Sequence, residues 1–323
     1  MKILFTGSSS FTGYWFIKSL VEGGHEVFAT FSGDEHIYKD VRRQRVTLIK
    51  KLCRTEFNCH FGGNRFLDLI NAEAGWDILC HHAADVTDYK SPSYNVVKAL
   101  ASNTNNIQEV FSTLKKIGTN KIMLTGSVFE QYEGTGSDER RAFSPYGLSK
   151  GLTSEMFRYY AADAGMSLGK FVIPNPFGPY EEKRFTSYLI RTWYENKSPV
   201  VSTPEYVRDN IHVSLLAEAY VSFAQRLSAV DGYSRYKPSC YVESQGTFAL
   251  RFAHEIGPRL GIATPLIFAV QDVFHEPMVR INTDPVAHRF SQWSEERAWD
   301  ELADYYRLTH LSNFQEGIHE SKD

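Results

Sequence analysis

Short hydrophobic runs alternate with amphipathic stretches along the first half of the chain. Short apolar runs predict strands, and apolar residues spaced three and four apart predict helices. The predicted strands are Lys2–Thr6, Glu26–Phe31, Glu56–Phe61, Asp77–His81, Lys121–Thr125 and Leu168–Ile173. The predicted helices are Phe11–Glu22, Arg65–Ala74, Tyr94–Ile117 and Pro145–Ala164, and the basic stretch His36–Lys51 is partly helical. This alternation is typical of an α/β fold, in which helices cover both faces of a doubly wound parallel sheet.

The pattern changes after about residue 174, where prolines and aromatic residues become frequent and the alternation weakens. A helix over Asn210–Leu227 is predicted to return to the first sheet, and a further acidic amphipathic helix is predicted over Trp293–Tyr306. We therefore expect two packed units with a cleft between them. Residues 1–174 with about 209–232 would form the first domain, and about 175–208 with 233–323 would form a smaller mixed α/β lobe.

The composition of the 323 residues is that of a globular protein, since 42% are hydrophobic and 23% are charged. A formal net charge of −3 argues against nucleic acid as a partner, because nucleic acids bind strongly basic surfaces. No apolar run reaches the roughly 18 residues of a membrane-spanning helix, and the first run is too short for a signal peptide. Four cysteines without a C-x-x-C spacing indicate free thiols in a reducing compartment, so a cytoplasmic location is expected.

A turn rich in glycine and serine lies between the first predicted strand and the first predicted helix. Gly7 and Gly13 stand at the first and last glycine positions of a dinucleotide-binding turn, and Ser10 stands at the middle one. Such a turn lets the backbone approach a pyrophosphate at a helix N-terminus. An ordinary loop is the alternative, but a position directly after the first predicted strand favours a cofactor site. The residues predicted to bind the cofactor here are Gly7, Ser9, Ser10, Phe11, Thr12 and Gly13.

The end of the second predicted strand bears on the choice between NAD and NADP. An acidic residue there binds the adenosine ribose hydroxyls and favours NAD. The chain has Ser32 at this place and no acid before Asp34, and Arg42 and Arg43 follow in the basic stretch. Ser32, Arg42 and Arg43 could therefore bind an NADP(H) 2′-phosphate, with Ser32 and Arg43 the residues expected at the site, although a basic helix face exposed to solvent would also explain the arginines.

A tyrosine followed four residues later by a lysine occurs four times, so position has to distinguish the pairs. They are Tyr14/Lys18, Tyr94/Lys98, Tyr146/Lys150 and Tyr233/Lys237. Only Tyr146/Lys150 begins a predicted helix that follows a strand ending in hydroxyls, Thr125-Gly126-Ser127. Residues four apart share one helix face. A lysine there, beside a positively charged nicotinamide, is expected to lower the tyrosine pKa, so that the phenol can exchange a carbinol proton while hydride is transferred.

With these motifs in order, the chain resembles the extended short-chain dehydrogenase/reductase family, in particular its NAD-dependent epimerase/dehydratase group acting on nucleotide sugars. The resemblance covers almost the whole chain. It rests on Thr6–Gly13, His82-Ala83-Ala84, Thr125–Ser127, Tyr146/Lys150, Asn175–Pro179 and Arg208–Val213. It implies a Rossmann-like domain with a smaller substrate-binding lobe, NAD(P)(H) as cofactor and a nucleotide sugar as substrate. It also implies a homodimer formed through the long helices, here about Tyr94–Ile117 and Pro145–Ala164.

The resemblance implies roles for individual residues. Thr125 would be the catalytic hydroxyl, Tyr146 the acid/base, and Lys150 its partner, which also binds the nicotinamide ribose. The further residues lining the cofactor would be His82, Ala83, Ala84 and Pro174. The residues binding the substrate would be Ser127, Asn175, Arg184, Arg208 and Arg280. Arg208 would clamp the diphosphate, because a guanidinium matches phosphate oxygens; a loop salt bridge with Asp209 is the alternative. No metal site is expected, since the adjacent His81 and His82 lack partners at a suitable spacing.

The chain departs from the family pattern at several positions. Ser10 replaces the middle glycine, and Phe61-Gly62 stand where the family has an aspartate followed by leucine or isoleucine beside adenine. In the family's 4,6-dehydratases, an Asp-Glu pair follows the catalytic threonine. Gly126-Ser127 stand there in this chain, and neither transfers a proton at neutral pH as a carboxyl group does. A 4,6-dehydratase is therefore not expected.

Three functions remain. The expected one is a 4-ketoreductase, which reduces a 4-keto-6-deoxy-sugar nucleotide with NAD(P)H, with a lean towards NADPH. A nucleotide-sugar 4-epimerase that keeps NAD tightly bound is the alternative, and it uses the same Thr125, Tyr146 and Lys150. The third, of another class, is an NADP-binding redox sensor or scaffold without turnover, although such proteins usually lack the tyrosine or the lysine.

Overall fold

The computed structural model describes residues 1–73, 75–137, 139–230 and 232–320, with side chains as far as residue 310. The helices are α1 (Phe11–Glu22), α2 (Asp40–Leu52), α3 (Asn64–Ala72), α4 (Val96–Asn103), α5 (Ile107–Lys116), α6 (Pro145–Asp163), α7 (Phe185–Tyr194), α8 (Val213–Arg226), α9 (Gln245–Leu260) and α10 (Glu295–Glu320). The strands are β1 (Lys2–Thr6), β2 (Glu26–Thr30), β3 (Arg54–Glu56), β4 (Ile78–His81), β5 (Lys121–Ser127), β6 (Thr135–Gly136), β7 (Ser167–Ile173), β8 (Asn175–Phe177), β9 (Val200–Val201), β10 (Val207–His212), β11 (Tyr233–Tyr236), β12 (Pro238–Ser239), β13 (Tyr241–Ser244), β14 (Ile267–Phe268), β15 (Val279–Ile281) and β16 (Asp284–Pro285). Within these ranges, no helix is both long and apolar enough to cross a membrane.

The main sheet has seven strands in the order β11-β7-β5-β4-β1-β2-β3, and all neighbours pair in parallel. β4 is buried along its whole length, as expected of a strand covered on both faces. The chain winds outward from β1 in both directions. Such a sheet has a crevice at the carboxyl ends of its central strands, where ligands bind. The predicted doubly wound, Rossmann-like α/β fold is confirmed.

Apolar cores lie on both faces of this sheet. On one face α1 and α8 pack together, and the ring of Phe16 stacks on Tyr220 with 3.9 Å between the centroids. The other face carries α3, α5 and α6, where Phe111 and Phe157 meet edge to face. Helices therefore cover both faces of the sheet, as a doubly wound α/β fold requires.

The second lobe is built on a smaller mixed sheet, as predicted. β10 pairs antiparallel with β13 and parallel with β15 and β8, and β15 pairs antiparallel with β6. Helices α7, α9 and α10 enclose a third core that contains Phe177, Phe252 and Trp299. Two short pairs of strands, β12–β16 and β9–β14, complete the lobe. β8 directly follows β7 of the main sheet after Pro174, so the chain crosses between the sheets at this point.

Several predicted elements differ from the structure. The third strand, predicted over Glu56–Phe61, lies at β3, and the left-handed backbone of Asn58, with φ 54°, interrupts any longer strand. The single helix predicted over Tyr94–Ile117 is divided into α4 and α5, because Asn106 also adopts a left-handed conformation. The start of the helix predicted over Asn210–Leu227 is wrong, since β10 takes these residues into the second sheet before α8 begins.

The division into two units needs one adjustment. The boundary was predicted at residue 232, but the next four residues form β11, which pairs with β7 at the edge of the main sheet. The main sheet therefore extends to Tyr236. The rest of the predicted division stays a prediction.

Candidate active site

The turn between β1 and α1 requires glycine at two positions. Gly7 has φ +77°, and a Cβ there would lie 2.6 Å from the backbone nitrogen of Ala83. A Cβ on Gly13 would lie 2.5 Å from the carbonyl oxygen of Gly7. The first glycine thus lets the segment after β4 pass close to the turn, and the second lets α1 pack close to the turn's own backbone.

The hydroxyl of Ser10 stabilises the start of α1. Its hydroxyl accepts a hydrogen bond from Gly13 N at 3.1 Å and donates one to Gly7 O at 2.9 Å, which makes it the N-cap of α1. Within the described residues, the amides of Phe11 and Thr12 have no hydrogen-bond acceptor. Free amides at a helix N-terminus fit the pyrophosphate of NAD(P), so the residues present suit this cofactor. The amides, rather than the Ser10 hydroxyl, are the groups available to a phosphate.

The adenosine end of the predicted site is basic. Ser32 is exposed after β2, and the carboxylate of Asp34 accepts bonds from His36 N and Asn58 Nδ2. Arg42 Nε donates to Ser9 Oγ at 3.1 Å, so its guanidinium lies against the turn. Arg43, the arginine predicted for this place, is exposed on α2. Of the two candidate arginines, the structure therefore brings Arg42 to the turn.

The Tyr146/Lys150 pair lies at the start of α6. Ser144 caps this helix by accepting from Gly147 N, and Pro145 occupies its first turn. Lys150 is buried, and its Nζ donates to the carbonyl oxygen of Thr125 at 2.6 Å. This bond fixes the first turns of α6 to the carboxyl end of β5.

Aromatic neighbours and buried charges set the electrostatics of the pair. The ring of Tyr146 packs edge to face against Tyr89 and Tyr94, at 5.4 and 6.2 Å between centroids. Burial raises the pKa of Tyr146 above its ordinary value, and the negative charge of Glu130 adds to this effect. Burial also lowers the pKa of Lys150 to about 8. The protein groups alone therefore do not produce the expected lowering of the tyrosine pKa.

The segment after β4 passes along the glycine-rich turn. The amides of His82 and Ala83 both donate to Thr6 Oγ1 at 3.2 Å. The His82 ring lies between Thr125, whose Oγ1 is 2.9 Å from its Nδ1, and the turn, where Ser10 Oγ is 2.9 Å from its Nε2. Ala84 follows half-buried, and Pro174 is buried after β7. Among the described residues, no group of three His, Cys, Asp or Glu side chains could hold a metal ion.

A buried ionic cluster beside β5 was not predicted. Lys170 on β7 contacts Glu130 at 2.6 Å and Glu133 at 2.8 Å, and all three side chains are almost fully buried. Glu130 also accepts from Ser127 N at 2.7 Å and from Ser154 Oγ at 2.9 Å. Although burial opposes it, the two carboxylates raise the pKa of Lys170. A lysine within the apolar strand Ser167–Ile173 was the signal in the sequence that could have indicated a buried partner.

The cluster fills the space next to Gly126. A Cβ at this position would lie 2.6 Å from Lys170 Cε and 3.0 Å from Glu130 Oε1. Lys170 cannot move aside without leaving its two carboxylates, so a larger residue at position 126 would break a buried ion pair.

The two predicted phosphate-binding arginines are engaged within the chain. Arg208 donates to the carbonyl oxygens of Val207, Pro277 and Met278 at 2.9, 3.0 and 3.2 Å and pairs with Glu276 at 2.9 Å. The alternative salt bridge with Asp209 is not formed, since Asp209 accepts from the amides of Cys240 and Asn282. Only Glu276, which is half-exposed, is a partner that a phosphate could readily replace.

Arg280 holds the segment that follows β5. Its guanidinium donates to the carbonyl oxygens of Val128, Glu130 and Arg141 at 3.2, 3.3 and 2.6 Å. The side chain is fully buried. These contacts give Arg280 a structural function, and its predicted substrate contact would need this segment to rearrange.

The remaining predicted substrate residues surround the carboxyl edge. Ser127 ends β5 and accepts from Phe129 N at 3.2 Å. Asn175 begins β8, opposite Asn210, where the chain crosses between the sheets. Arg184 is exposed before α7, and its positive charge opposes the rise in the pKa of Tyr146.

Arg45 connects the two lobes and was also missed. Its side chain is completely buried and donates to Ser9 O at 2.9 Å, Tyr180 O at 2.7 Å and Glu182 Oε1 at 2.5 Å. The glycine-rich turn is thereby attached to the loop between β8 and α7. Arg45 lies four residues before the apolar Ile49, so helical periodicity could have placed it on the buried face of α2.

Comparisons with known proteins agree with this architecture. The model of the NAD dependent epimerase/dehydratase family matches residues 3–237. The UDP-glucose 4-epimerase of Thermotoga maritima, solved with UDP-glucose, is similar with a TM-score of 0.72 at 16% identity, over 96% of this chain and 99% of that chain. The UDP-glucuronic acid 4-epimerase of Bacillus cereus, solved with UDP-glucuronic acid and NAD, gives a TM-score of 0.72 at 16% identity, over 96% of this chain and 100% of that chain.

A dehydratase has the same fold. The dTDP-glucose 4,6-dehydratase DesIV of Streptomyces venezuelae, with NAD bound, gives a TM-score of 0.72 at 15% identity over 95% of this chain and 97% of that chain. No curated protein sequence matches the chain significantly. The structural likeness shows the fold, and the family match over residues 3–237 shows the lineage. The expected membership is confirmed: the chain is an enzyme of the short-chain dehydrogenase/reductase type and belongs to the NAD-dependent epimerase/dehydratase family.

Proposed function

We propose that the chain is an NAD(P)-dependent oxidoreductase of nucleotide sugars, and more closely a 4-ketoreductase that reduces a 4-keto-6-deoxy-sugar nucleotide. The observation that carries the proposal is the attachment of Tyr146/Lys150 to Thr125 through the 2.6 Å bond from Lys150 Nζ to Thr125 O. This bond holds the helix that carries the acid/base Tyr146 and the cation Lys150 beside the hydroxyl-bearing Thr125. All three lie at the carboxyl edge of the sheet, next to a turn that suits a dinucleotide.

The proposed reaction assigns one task to each side chain. Tyr146 gives its phenolic proton to the ketone oxygen, and Thr125 donates a hydrogen bond to the same oxygen as negative charge develops on it. Lys150, four residues after Tyr146 on the same face of α6, has the task of supplying positive charge to the site. A bound nicotinamide cofactor would supply the hydride. Proton transfer of this kind contributes about 10²–10⁴ to the rate.

The space around Gly126 supports a reductase over a 4,6-dehydratase. A dehydratase of this family needs an aspartate after its catalytic threonine, as the resemblance implied. A Cβ at position 126 would already lie 2.6 Å from Lys170 Cε. The position therefore excludes the acid by packing as well as by residue type.

The adenosine end supports a cofactor that is exchanged at each turnover. Ser32 replaces an acidic residue, and Arg42 lies against the turn through its bond to Ser9. This arrangement favours NADPH, because a guanidinium attracts the 2′-phosphate. A 4-epimerase is the second candidate, since it would use the same three residues and the similar structures of Thermotoga maritima and Bacillus cereus are 4-epimerases.

The test follows the absorbance of the reduced nicotinamide. The protein is mixed with NADPH or NADH and a panel of 4-keto-6-deoxy nucleotide sugars. A ketoreductase oxidises the cofactor only when the sugar is present, and Tyr146→Phe lowers kcat by about 10²–10⁴ while the sugar still binds. Tyr94→Phe is the matched control, since this ring packs beside Tyr146 but its hydroxyl donates to Asp85 O.

Other outcomes would contradict the reductase. Tightly bound NAD released by denaturation, together with interconversion of 4-hydroxy epimers, would identify the epimerase. Binding of NADPH with no reaction of any nucleotide sugar would instead favour a protein that senses the cofactor.

A further inference from the structure

His82 connects the glycine-rich turn with Thr125. Its Nδ1 lies 2.9 Å from Thr125 Oγ1, and its Nε2 lies 2.9 Å from Ser10 Oγ and 3.1 Å from Thr12 Oγ1. The ring is held from the side by Phe16, edge to face at 5.3 Å between centroids. Both nitrogens therefore meet hydroxyl groups, and the ring has little freedom to turn away from them.

The hydroxyl partners suit a neutral ring with its proton on either nitrogen. A neutral imidazole has one donor and one acceptor nitrogen. Ser10 gives its hydrogen to Gly7 O, so it can accept from a protonated Nε2. An unprotonated Nε2 can instead accept from Thr12, and Ser10 then turns its own hydrogen from Gly7 O towards Nε2. Burial lowers the pKa of His82 to about 3, so the ring is neutral near pH 7.

The position of this proton decides what Thr125 can do. When Nδ1 accepts from Thr125, the only hydrogen of that hydroxyl is used. When Nδ1 carries the proton, it donates to Thr125 Oγ1, and Thr125 is free to donate to another oxygen. Hydrogen bonds in such a chain polarise one another, so the second arrangement makes Thr125 a stronger donor.

We propose that His82 is a positioning residue for the reaction: its Nδ1–H holds Thr125 Oγ1 and directs the threonine hydrogen to the substrate oxygen, while Thr12 donates to Nε2. The proposal rests on the proposed function, since it assigns Thr125 to the ketone oxygen. His82 was predicted to line the cofactor. The proposal adds a second role, in which His82 acts on the reacting oxygen through Thr125.

Two amide substitutions separate the contacts of the two nitrogens. The amide of His82→Asn can replace Nδ1 and donate to Thr125, whereas the amide of His82→Gln reaches the place of Nε2 beside Ser10 and Thr12. His82→Leu removes both. We expect the leucine variant to lower kcat by about 10- to 100-fold, the asparagine variant to recover most of this loss, and the glutamine variant to recover little. KM for the sugar and Kd for NADPH should change by less than about twofold in the asparagine variant.

The opposite pattern would overturn the proposal. Recovery by glutamine alone, or a wild-type kcat in the leucine variant, would mean that His82 supports the turn and not Thr125. An equal loss in NADPH affinity and kcat would assign His82 to cofactor binding. If the leucine variant does not fold, the asparagine and glutamine variants still decide between these outcomes.

A spectroscopic measurement tests the contact without turnover. In protein labelled with ¹⁵N-histidine, Thr125→Val should shift the Nδ1 resonance of His82 much more than its Nε2 resonance, and His82→Asn assigns the signals. An unchanged chemical shift of His82 Nδ1 in the Thr125→Val variant would overturn the proposal. If the wild-type protein turns over no nucleotide sugar but this shift is present, the proposed function fails while the His82–Thr125 contact stands.

Discussion

Ser10 and Arg42 show how neighbours decide the role of a single side chain. Ser10 stands where a dinucleotide-binding turn usually has glycine, yet its hydroxyl is used by Gly13 N and Gly7 O in capping α1. Arg42 and Arg43 are adjacent in sequence, but only Arg42 contacts the turn. Arg45, Val46 and Ile49 form the buried face of α2. Arg42 lies three residues before Arg45 and four before Val46, so it shares this face. Helical periodicity could therefore have favoured Arg42 over Arg43.

This difference between the two arginines gives a prediction about cofactor choice. Arg42→Ala should raise KM for NADPH by about tenfold, because it removes about 1.4 kcal/mol of attraction for the 2′-phosphate, and should change KM for NADH little. Arg43→Ala, the matched control, should have a much smaller effect. Steady-state kinetics with both cofactors measure this, and equal losses with NADPH and NADH in Arg42→Ala would contradict the assignment.

At the scale of elements, the sequence predicted most accurately those strands and helices whose own pattern fixes them. β1 and α1 have the predicted bounds, because an apolar run, a glycine turn and an amphipathic stretch follow one another directly. β10 could not be predicted from its own sequence pattern, since its pairing partners β8, β13 and β15 come from distant parts of the chain. The cluster of Glu130, Glu133 and Lys170 was missed for the same reason.

The loop between β8 and α7 contains a carboxyl group that links stability to pH. Burial raises the pKa of Glu181 to about 7, although hydrogen bonds from Thr186 and Tyr306 act in the opposite direction. The unfolded carboxyl has a pKa near 4.3, so between about pH 4.3 and 7 the folded chain retains a proton that the unfolded chain releases. Stability from this group therefore falls as pH rises through that window, by up to about 4 kcal/mol.

Glu181→Gln should remove this dependence. The variant keeps an oxygen for Thr186 and Tyr306 and never ionises, so its stability relative to the wild type should be greater at pH 8 than at pH 5. Urea denaturation at the two pH values measures the free energy of unfolding of both proteins. An equal difference at pH 5 and pH 8 would contradict the buried-carboxyl explanation.

At the scale of the whole molecule, two neighbouring helices expose apolar side chains that suggest a partner. Val97 on α4 is 76% exposed and Tyr159 on α6 is 66% exposed, and the two helices pack side by side. The resemblance implied a homodimer through this part of the chain, and we keep that as a prediction. Apolar side chains at the centre of such an interface would be buried from water on association.

Placing a charged residue in the predicted interface tests the dimer prediction. The wild-type protein should elute at twice the 36.9 kDa of one chain, and Val97→Asp should elute as a monomer because an unpaired carboxylate would be buried in the interface. Val270→Asp is the matched control, since Val270 is 93% exposed outside the two helices. Light scattering after size exclusion gives the masses. A monomeric wild type, or dissociation by Val270→Asp alone, would contradict the prediction.

The packing of α1 on α8 has a consequence during synthesis. The two helices cover one face of the main sheet together, but about 190 residues separate the end of α1 from the start of α8. At roughly 5–20 residues per second, a ribosome completes α8 about 10–40 s after α1. During this interval α1 can pack on β2 and α2, but the part of its apolar surface that α8 covers in the folded protein has no native partner. A fragment that ends before Val213 would leave this part of α1 exposed to water.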